Sequence, residues 1–188
     1  MTPKVFTRRF IRENSMEDLK KYIRDIPNFP REGIMFHDIT PLLQHPKAFR
    51  QAIDGMAEMM KGKDVEYMIG VEARGFIFAS ALAYKLGTGL VIIRKLGKLP
   101  YETLNVSYDL EYGKDILEVH RDAISGGSRV VLVDDLLATG GTAAAVGNLV
   151  KKLGGEIIGY SFLVELTELK GREKLKPYPV WSVLEFPV

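Results

Sequence analysis

Short apolar runs alternate with longer segments of helical character from residue 67 to residue 164. The short runs have the length of strands, and the continuous apolar run at 130–133 is typical of a strand that is buried on both faces. The pattern predicts strands at 67–71, 90–93, 130–133 and 157–164, with helices at 76–86 and 142–153. This alternation predicts an α/β fold, in which helices cover both faces of a mostly parallel sheet.

Two further helices are predicted before this region. The first follows a potential cap at Ser15, ends at Pro27 and carries the apolar positions Met16, Leu19, Ile23 and Ile26. The second follows Pro46 and buries Phe49, Ile53, Met56 and Met60. Between Arg94 and Gly127 the pattern becomes polar and alternates every two residues, which predicts a mobile loop and an antiparallel hairpin attached to the sheet.

Composition excludes several classes of function. The 188 residues include 46% hydrophobic residues, enough for one domain with a sizeable core. Lys and Arg outnumber Asp and Glu by only 26 to 24, so nucleic-acid binding is not expected. The chain has no cysteine, three scattered histidines, and no apolar run near the ~20 residues of a membrane span. These features predict a cytoplasmic protein without disulfides, thiolate metal sites or a membrane partner.

The most informative segment is the one that follows the apolar run 130–133. Asp134 and Asp135 stand at its carboxyl end, and a small-residue loop from Ala138 to Thr142 opens the next helix. Such a loop can converge several backbone N–H groups on a phosphate, and the helix N-terminus adds to that field. The acids would repel a phosphate but suit vicinal hydroxyls or a divalent cation. Together they indicate a ribose 5-phosphate site; the alternative is an ordinary strand-to-helix turn with a capping aspartate.

Cationic side chains follow two other predicted strands. Arg74, in Glu72-Ala73-Arg74-Gly75, stands where a strand passes into a helix, so its guanidinium can help to bind a multiply charged anion. Three cations, Arg94, Lys95 and Lys98, follow the next strand and precede the polar segment. Their position favours a lid that closes over phosphates. The alternatives are a surface arginine that caps a turn and a solvated charged face.

These motifs belong to a longer series in one order. The series is FPREGI with FHDITP (29–41), GVEARGF (70–76), RKLGKLP (94–100), LEYG (110–113), VDDLLATGGT (133–142) and VEL (164–166). The series resembles the type I phosphoribosyltransferases, and specifically their adenine phosphoribosyltransferase branch, from about residue 20 to the C-terminus. The resemblance implies a small N-terminal hood (about 1–45), a core (about 46–188) and a flexible lid loop (about 94–113) in a single domain. It also implies transfer of a phosphoribosyl group from 5-phosphoribosyl-1-pyrophosphate (PRPP) to adenine, giving AMP and pyrophosphate with Mg²⁺.

The resemblance assigns roles to individual residues. Glu111 reaches the purine N7 and is the catalytic group, in a loop that Tyr112 helps to order, while Asp134 and Asp135 bind the ribose hydroxyls. The 5-phosphate is held by Ala138, Thr139, Gly140, Gly141 and Thr142. Pyrophosphate is held by Glu72, Ala73, Arg74, Arg94, Lys95 and Lys98, with a cis peptide between Glu72 and Ala73. Adenine is held by the backbone of Met35 and His37, the ring of Phe36 and the apolar Leu166.

The resemblance further implies a homodimer, in which Arg94 reaches its own or the partner's site. No dedicated protein ligand is expected for Mg²⁺, which PRPP and water would hold near Asp134 and Asp135. Phe36 has an alternative as plain core, and Glu111 as a surface acid. His37 departs from family members with arginine at this position, which leaves the role of its side chain open. Xanthine or orotate specificity is the alternative within the enzyme class, and a PRPP-sensing regulator is the alternative outside it.

Overall fold

A computed structural model describes residues 16–110 and 113–187. The predicted cap at Ser15 and the lid residues Glu111 and Tyr112 lie outside these described residues. The chain forms two compact units, which divide between Ala52 and Ile53.

The smaller unit is built around a two-stranded hairpin. Its elements are a 3₁₀ helix (Met16–Tyr22), β1 (Arg24–Pro27), β2 (Met35–Asp38), α1 (Thr40–Gln44) and the start of α2 (Pro46–Met59). The two strands are antiparallel, with Asp25 opposite His37 and Ile26 opposite Phe36. Asp38 then accepts hydrogen bonds from the N–H and the hydroxyl of Thr40, which form a local turn before α1.

The prediction of a first helix that extends to Pro27 was wrong. The helix is of the 3₁₀ type and ends at Tyr22, and Ile26 lies in β1. Backbone polar groups of residues 24–27 form hydrogen bonds by pairing with β2. A count of helical periodicity cannot detect such a partner. The helix predicted after Pro46 is confirmed, and Ile53, Met56 and Met60 are buried, whereas Phe49 is only half-buried.

The larger unit contains the sheet. Its strands are β3 (Tyr67–Val71), β4 (Gly89–Lys95), β5 (Thr103–Leu110), β6 (Gly113–His120), β7 (Arg129–Leu137), β8 (Glu156–Leu166) and β9 (Val180–Phe186). Its helices are α3 (Gly75–Leu86), α4 (Gly141–Lys152) and two short 3₁₀ turns (Thr167–Leu169 and Gly171–Leu175). In the described part of this unit, the strand order is β5-β6-β4-β3-β7-β8-β9. The pairs from β4 to β9 are parallel, and β6 pairs antiparallel with both β4 and β5.

The two long helices of this unit cover opposite faces of the sheet. A side chain at Gly70 would meet Ala79 and Phe76, so α3 packs on the face to which Gly70 belongs. Ile69 points to the other face, because successive residues of a strand alternate. There it joins one apolar cluster with Val146 and its neighbours on α4. The predicted α/β architecture, with a mostly parallel sheet between helices, is confirmed.

Three strands, β4, β7 and β8, are longer than predicted. Residues 129–137 form a single strand, so the two aspartates lie inside β7 instead of after it. Asp134 pairs with Phe162 of β8, because ladder hydrogen bonds use the backbone and tolerate polar side chains. Strand β9 was not predicted, whereas the hairpin of β5 and β6 confirms the alternation seen between Arg94 and Gly127.

Candidate active site

Four neighbouring parallel strands end at the same edge of the sheet, and each delivers predicted site residues there. Strand β3 leads into Glu72-Ala73-Arg74, and β4 ends at Arg94 and Lys95. Strand β7 carries the two aspartates, and β8 ends at Leu166. The carboxyl edge of a parallel sheet is where open α/β folds bind ligands. The topology therefore brings together the ribose, 5-phosphate and pyrophosphate residues that the sequence indicated separately.

The two aspartates form a coupled pair with Arg74. The N–H of Asp135 donates to Oδ1 of Asp134 at 2.9 Å. Nε of Arg74 lies 2.8 Å from Oδ2 of Asp135, which is 5% exposed, whereas Asp134 is more accessible. Arg74, predicted to bind pyrophosphate, thus already neutralises one of the two acids predicted to bind ribose. Asp134 is the carboxylate of the pair that is left for an incoming group.

Burial perturbs the pKa of both acids, and repulsion adds to the shift of Asp134. Burial raises the pKa of Asp134 well above its usual range, and the charge of Asp135 raises it further. Burial also raises the pKa of Asp135, although the guanidinium of Arg74 opposes the shift. Hydroxyl donors or a cation at Asp134 would favour its ionised form. The pair is therefore poised to bind groups that supply hydrogen-bond donors or positive charge.

Backbone geometry prepares the loop at residues 138–142 for an anion. Gly140 has φ of 76°, in the left-handed region that favours glycine, and occupies the N-cap of α4. Gly140 has no side chain that could cap the first turn, so the helix begins with N–H groups that a ligand can use. Gly75, at the start of α3, is also required, because its Cβ would lie 2.9 Å from Oδ1 of Asp134.

Glu72 connects two of the predicted pyrophosphate loops. Its carboxylate accepts from Nε and Nη2 of Arg94 at 3.3 and 3.2 Å and from the N–H of Lys95 at 2.8 Å. The hydrogen bonds from Arg94 and from the Lys95 backbone lower the pKa of Glu72. The expected cis peptide between Glu72 and Ala73 is present. The side chain of Glu72 thus holds Arg94 and the end of β4 in place.

Polar side chains of the hairpin formed by β5 and β6 lie near residues of two predicted phosphate sites. Nζ of Lys95 lies 3.2 Å from Asp115 on β6. Burial raises the pKa of the Tyr108 hydroxyl on β5, and hydrogen bonding with Thr142 opposes this shift. The hairpin thus places polar groups beside Lys95 and Thr142, which were predicted to bind different phosphates.

Two buried acids near the site were missed by sequence reasoning. Glu118 is 3% exposed and accepts from the N–H groups of Lys98 and Leu99, both at 2.9 Å. Burial would raise its pKa, but these backbone hydrogen bonds outweigh burial and lower it. Glu165, also 3% exposed, pairs with Arg172 at 2.6 and 2.7 Å. No role was predicted for either acid, because Glu118 depends on backbone groups about twenty residues away and Glu165 on an arginine in the turn after its strand.

The predicted base-binding residues lie in both units. In the smaller unit Met35 is exposed, and Phe36 is half-buried with its ring edge-on to Phe29 at 5.1 Å. The side chain of His37 bonds to Asp25 at 2.7 Å, so it fastens the hairpin. In the larger unit, Leu166 is 9% exposed at the end of β8. Glu111 lies outside the described residues.

Comparison with known proteins identifies the family. The phosphoribosyl transferase domain family matches residues 39–187. The adenine phosphoribosyltransferase of Pseudothermotoga lettingae is 58% identical over 169 residues, which cover 90% of this chain and 99% of the relative. This chain belongs to the adenine phosphoribosyltransferase family.

Solved structures of the family agree with this assignment. The adenine phosphoribosyltransferase of Thermoanaerobacter pseudethanolicus superposes with a TM-score of 0.89 at 51% identity, covering 92% of this chain and all of the other. The Saccharomyces cerevisiae enzyme, solved with an imino-altritol bisphosphate and adenine, has a TM-score of 0.85 at 43% identity. That match covers 90% of this chain and 98% of the yeast chain. The type I phosphoribosyltransferase fold expected from the motifs is confirmed.

Two further observations concern all of the described residues. None of the helices in the described ranges is long and apolar enough to cross a membrane. Within residues 16–110 and 113–187, no three His, Cys, Asp or Glu side chains are grouped as metal ligands.

Proposed function

We propose that this protein transfers the 5-phosphoribosyl group of PRPP to adenine and releases AMP and pyrophosphate. The observation that carries the proposal is the pair Asp134 and Asp135 directly before the glycine loop at the N-terminus of α4. This arrangement offers acceptors for a ribose diol beside N–H donors for its 5-phosphate. The family relatives, which are named as adenine phosphoribosyltransferases, support the choice of base.

The reaction exchanges two bonds at C1 of the ribose. N9 of adenine forms a bond to C1, the bond from C1 to the pyrophosphate oxygen breaks, and pyrophosphate leaves with that electron pair. Adenine must also lose one ring proton. In the tautomer that carries this proton on N7, N9 has a free lone pair for the attack on C1, and we assign Glu111 to accept the proton from N7 as the bond forms. Cations near the leaving group lower the barrier most if they bind the departing charge more tightly than the substrate. We assign that role to Arg74, Arg94 and Lys95.

The remaining pyrophosphate and base contacts are proposed from the family resemblance. Lys98, which is exposed, and the backbone at Ala73 bind pyrophosphate. Glu72 acts by holding Arg94, given its two hydrogen bonds to that guanidinium. Phe36 stacks on adenine, the backbone of Met35 and His37 contacts its edge, and Leu166 provides an apolar contact.

Magnesium is the cofactor we propose. Mg²⁺ usually binds to one or two carboxylates together with substrate phosphates and water. PRPP and water would hold the ion mainly, near Asp134 and Asp135, where burial raises the pKa of each acid and a nearby cation would offset that effect. When bound with PRPP, the ion would neutralise part of the charge on the leaving pyrophosphate. We also propose a cytoplasmic reaction, in keeping with its phosphorylated substrate and product.

We further propose a homodimer that forms through the α3 face of the sheet. Strand register places Leu90 opposite Met68 and Ile92 opposite Gly70, so both side chains lie on the face that α3 covers. Leu90 and Ile92 remain exposed beside α3, as do Ile77 and Tyr84 on the helix itself, the latter at 93%. Apolar groups clustered on one face suit a two-fold interface between identical chains.

A stoichiometric assay tests the proposed reaction. The protein is incubated with PRPP, Mg²⁺ and adenine, and AMP and pyrophosphate are quantified together. Equal molar amounts of both products are expected, with none when PRPP is omitted. Pyrophosphate release without AMP would instead indicate hydrolysis of PRPP, and binding without any product would favour a PRPP sensor.

A further inference from the structure

The backbone of Gly171 lies against the proposed 5-phosphate loop. A Cβ at Gly140 would fall 2.5 Å from the carbonyl oxygen of Gly171, and a Cβ at Gly171 would overlap the carbonyl oxygen of Ala138. The two backbones therefore touch without an intervening side chain. Any shift of the turn at Gly171 must displace the loop or open a gap beneath it.

The next residue, Arg172, fixes this turn to the sheet. Its Nε lies 2.6 and 2.7 Å from the two carboxylate oxygens of Glu165, at the end of β8. Its Nη1 donates to the carbonyl of Val180, and its Nη2 donates to Oγ of Ser182, both at 2.7 Å. Ser182 in turn donates to Glu165 at 2.8 Å. The guanidinium thus joins β8 and β9 to the turn that carries Gly171.

The geometry points to Arg172 as a positioning residue for the 5-phosphate loop, an inference that rests on the proposed function. Its hydrogen bonds are directed into the protein, and its effect on PRPP passes through Gly171 to Ala138 and Gly140. Glu165 is nearly inaccessible, so loss of its partner would leave an uncompensated buried carboxylate and loosen the turn. Displacement of a substrate-binding loop by about 1 Å can lower the activity of an enzyme by up to roughly 10²-fold.

The chain offers a graded set of variants. Arg172→Gln removes the charge and most of the N–H donors of the guanidinium. Arg172→Lys keeps the charge, but a single ammonium group cannot reach Glu165, Val180 and Ser182 together. Ser182→Ala removes one contact and leaves the ion pair. The matched control is Arg129→Gln, because Arg129 has similar exposure and pairs with Asp64 at 3.0 Å at the amino end of β7, away from the site.

Steady-state kinetics provide the first readout. Arg172→Gln should raise KM for PRPP roughly tenfold or more, with kcat and KM for adenine within about twofold to threefold, because the loop contacts only the phosphoribosyl part. Arg172→Lys and Ser182→Ala should each raise KM for PRPP less than Arg172→Gln does. Arg129→Gln should leave KM for PRPP unchanged. An unchanged KM for PRPP in folded Arg172→Gln, or an equal rise in the control, would overturn the inference.

Amide hydrogen exchange of the ligand-free protein provides a second readout that does not require activity. Faster exchange at residues 138–142 in Arg172→Gln but not in Arg129→Gln would support the inference, and equal exchange would overturn it. If Arg172→Gln does not fold, Ser182→Ala decides the question by the same criteria. A wild-type protein without PRPP-dependent activity would refute the proposed function, while the exchange data would still test the link from Arg172 to the loop.

Discussion

Replacing Asp134 by asparagine should weaken PRPP binding and at the same time stabilise the folded protein. The substitution keeps the side-chain shape and an oxygen that can accept the 2.9 Å hydrogen bond from the N–H of Asp135. It removes a charge that burial and the neighbouring Asp135 both disfavour. Function and stability should therefore change in opposite directions, which an indiscriminate structural defect would not produce.

The loss of affinity follows from the hydrogen bonds to the ribose diol. A hydrogen bond to a charged group contributes about 1.5–3 kcal/mol, compared with about 0.5–1.5 kcal/mol for a neutral one. If two hydroxyls lose this difference, binding weakens by about 2–3 kcal/mol, or roughly 30- to 150-fold. Calorimetry with PRPP and Mg²⁺ measures this change directly.

The stability change has a defined pH dependence. Because the pKa of Asp134 is raised, the folded protein binds a proton at this side chain more tightly than the unfolded chain does. The stability of the wild type therefore declines as the pH rises from the ordinary aspartate pKa of about 3.9 through the pKa of Asp134 in the folded protein. Asp134→Asn lacks this decline. Its melting temperature should exceed that of the wild type at pH 7, and the difference should vanish below about pH 4. Unchanged PRPP affinity, or a lower melting temperature at pH 7, would refute the reasoning.

Three further predictions concern the lid, the catalytic group and the dimer. The pKa of Glu118 is lowered in the folded protein, so this residue stabilises the fold at pH values above the ordinary glutamate pKa. The stabilisation is lost as the pH falls through the pKa of Glu118 in the folded protein. Glu118→Gln should lower the melting temperature at pH 7 but little in acid; an equal loss at every pH would contradict this. Glu111→Gln should lower the single-turnover rate about 10²- to 10⁴-fold, whereas Phe36→Ala should mainly raise KM for adenine. A normal single-turnover rate would assign Glu111 to positioning only. Ile92→Glu should reduce the mass found by light scattering to the 21.1 kDa of one chain, and a wild type already at that mass would exclude the dimer.

The sequence was sufficient for features that local pattern determines. Mainly apolar runs predicted β3, β4, β7 and β8, and parallel order then placed their carboxyl ends at one edge. The glycine loop was recognisable because small residues follow the acid pair and open a helix, and Gly140 does have the positive φ that favours glycine. These inferences use only neighbouring residues and the geometry of parallel sheets.

The sequence was insufficient where long-range partners decide the structure. Glu118 is buried against backbone N–H groups of a turn about twenty residues away. Arg172 depends on atoms of β8 and β9, and β9 itself was not predicted. The strand at Ile26 needed β2 as its partner. Such contacts leave no periodic signal, because each depends on the fold that it helps to fix.

Competition among bases tests the central claim most directly. Initial rates of PRPP-dependent product formation are measured in parallel with adenine, hypoxanthine, guanine, xanthine and orotate. The proposed function predicts that kcat/KM for adenine exceeds that for each other base by at least ~10²-fold, as expected where unpaired polar groups reject the wrong base edge. A higher kcat/KM for xanthine, orotate or another base, or no turnover of any of the five, would contradict it.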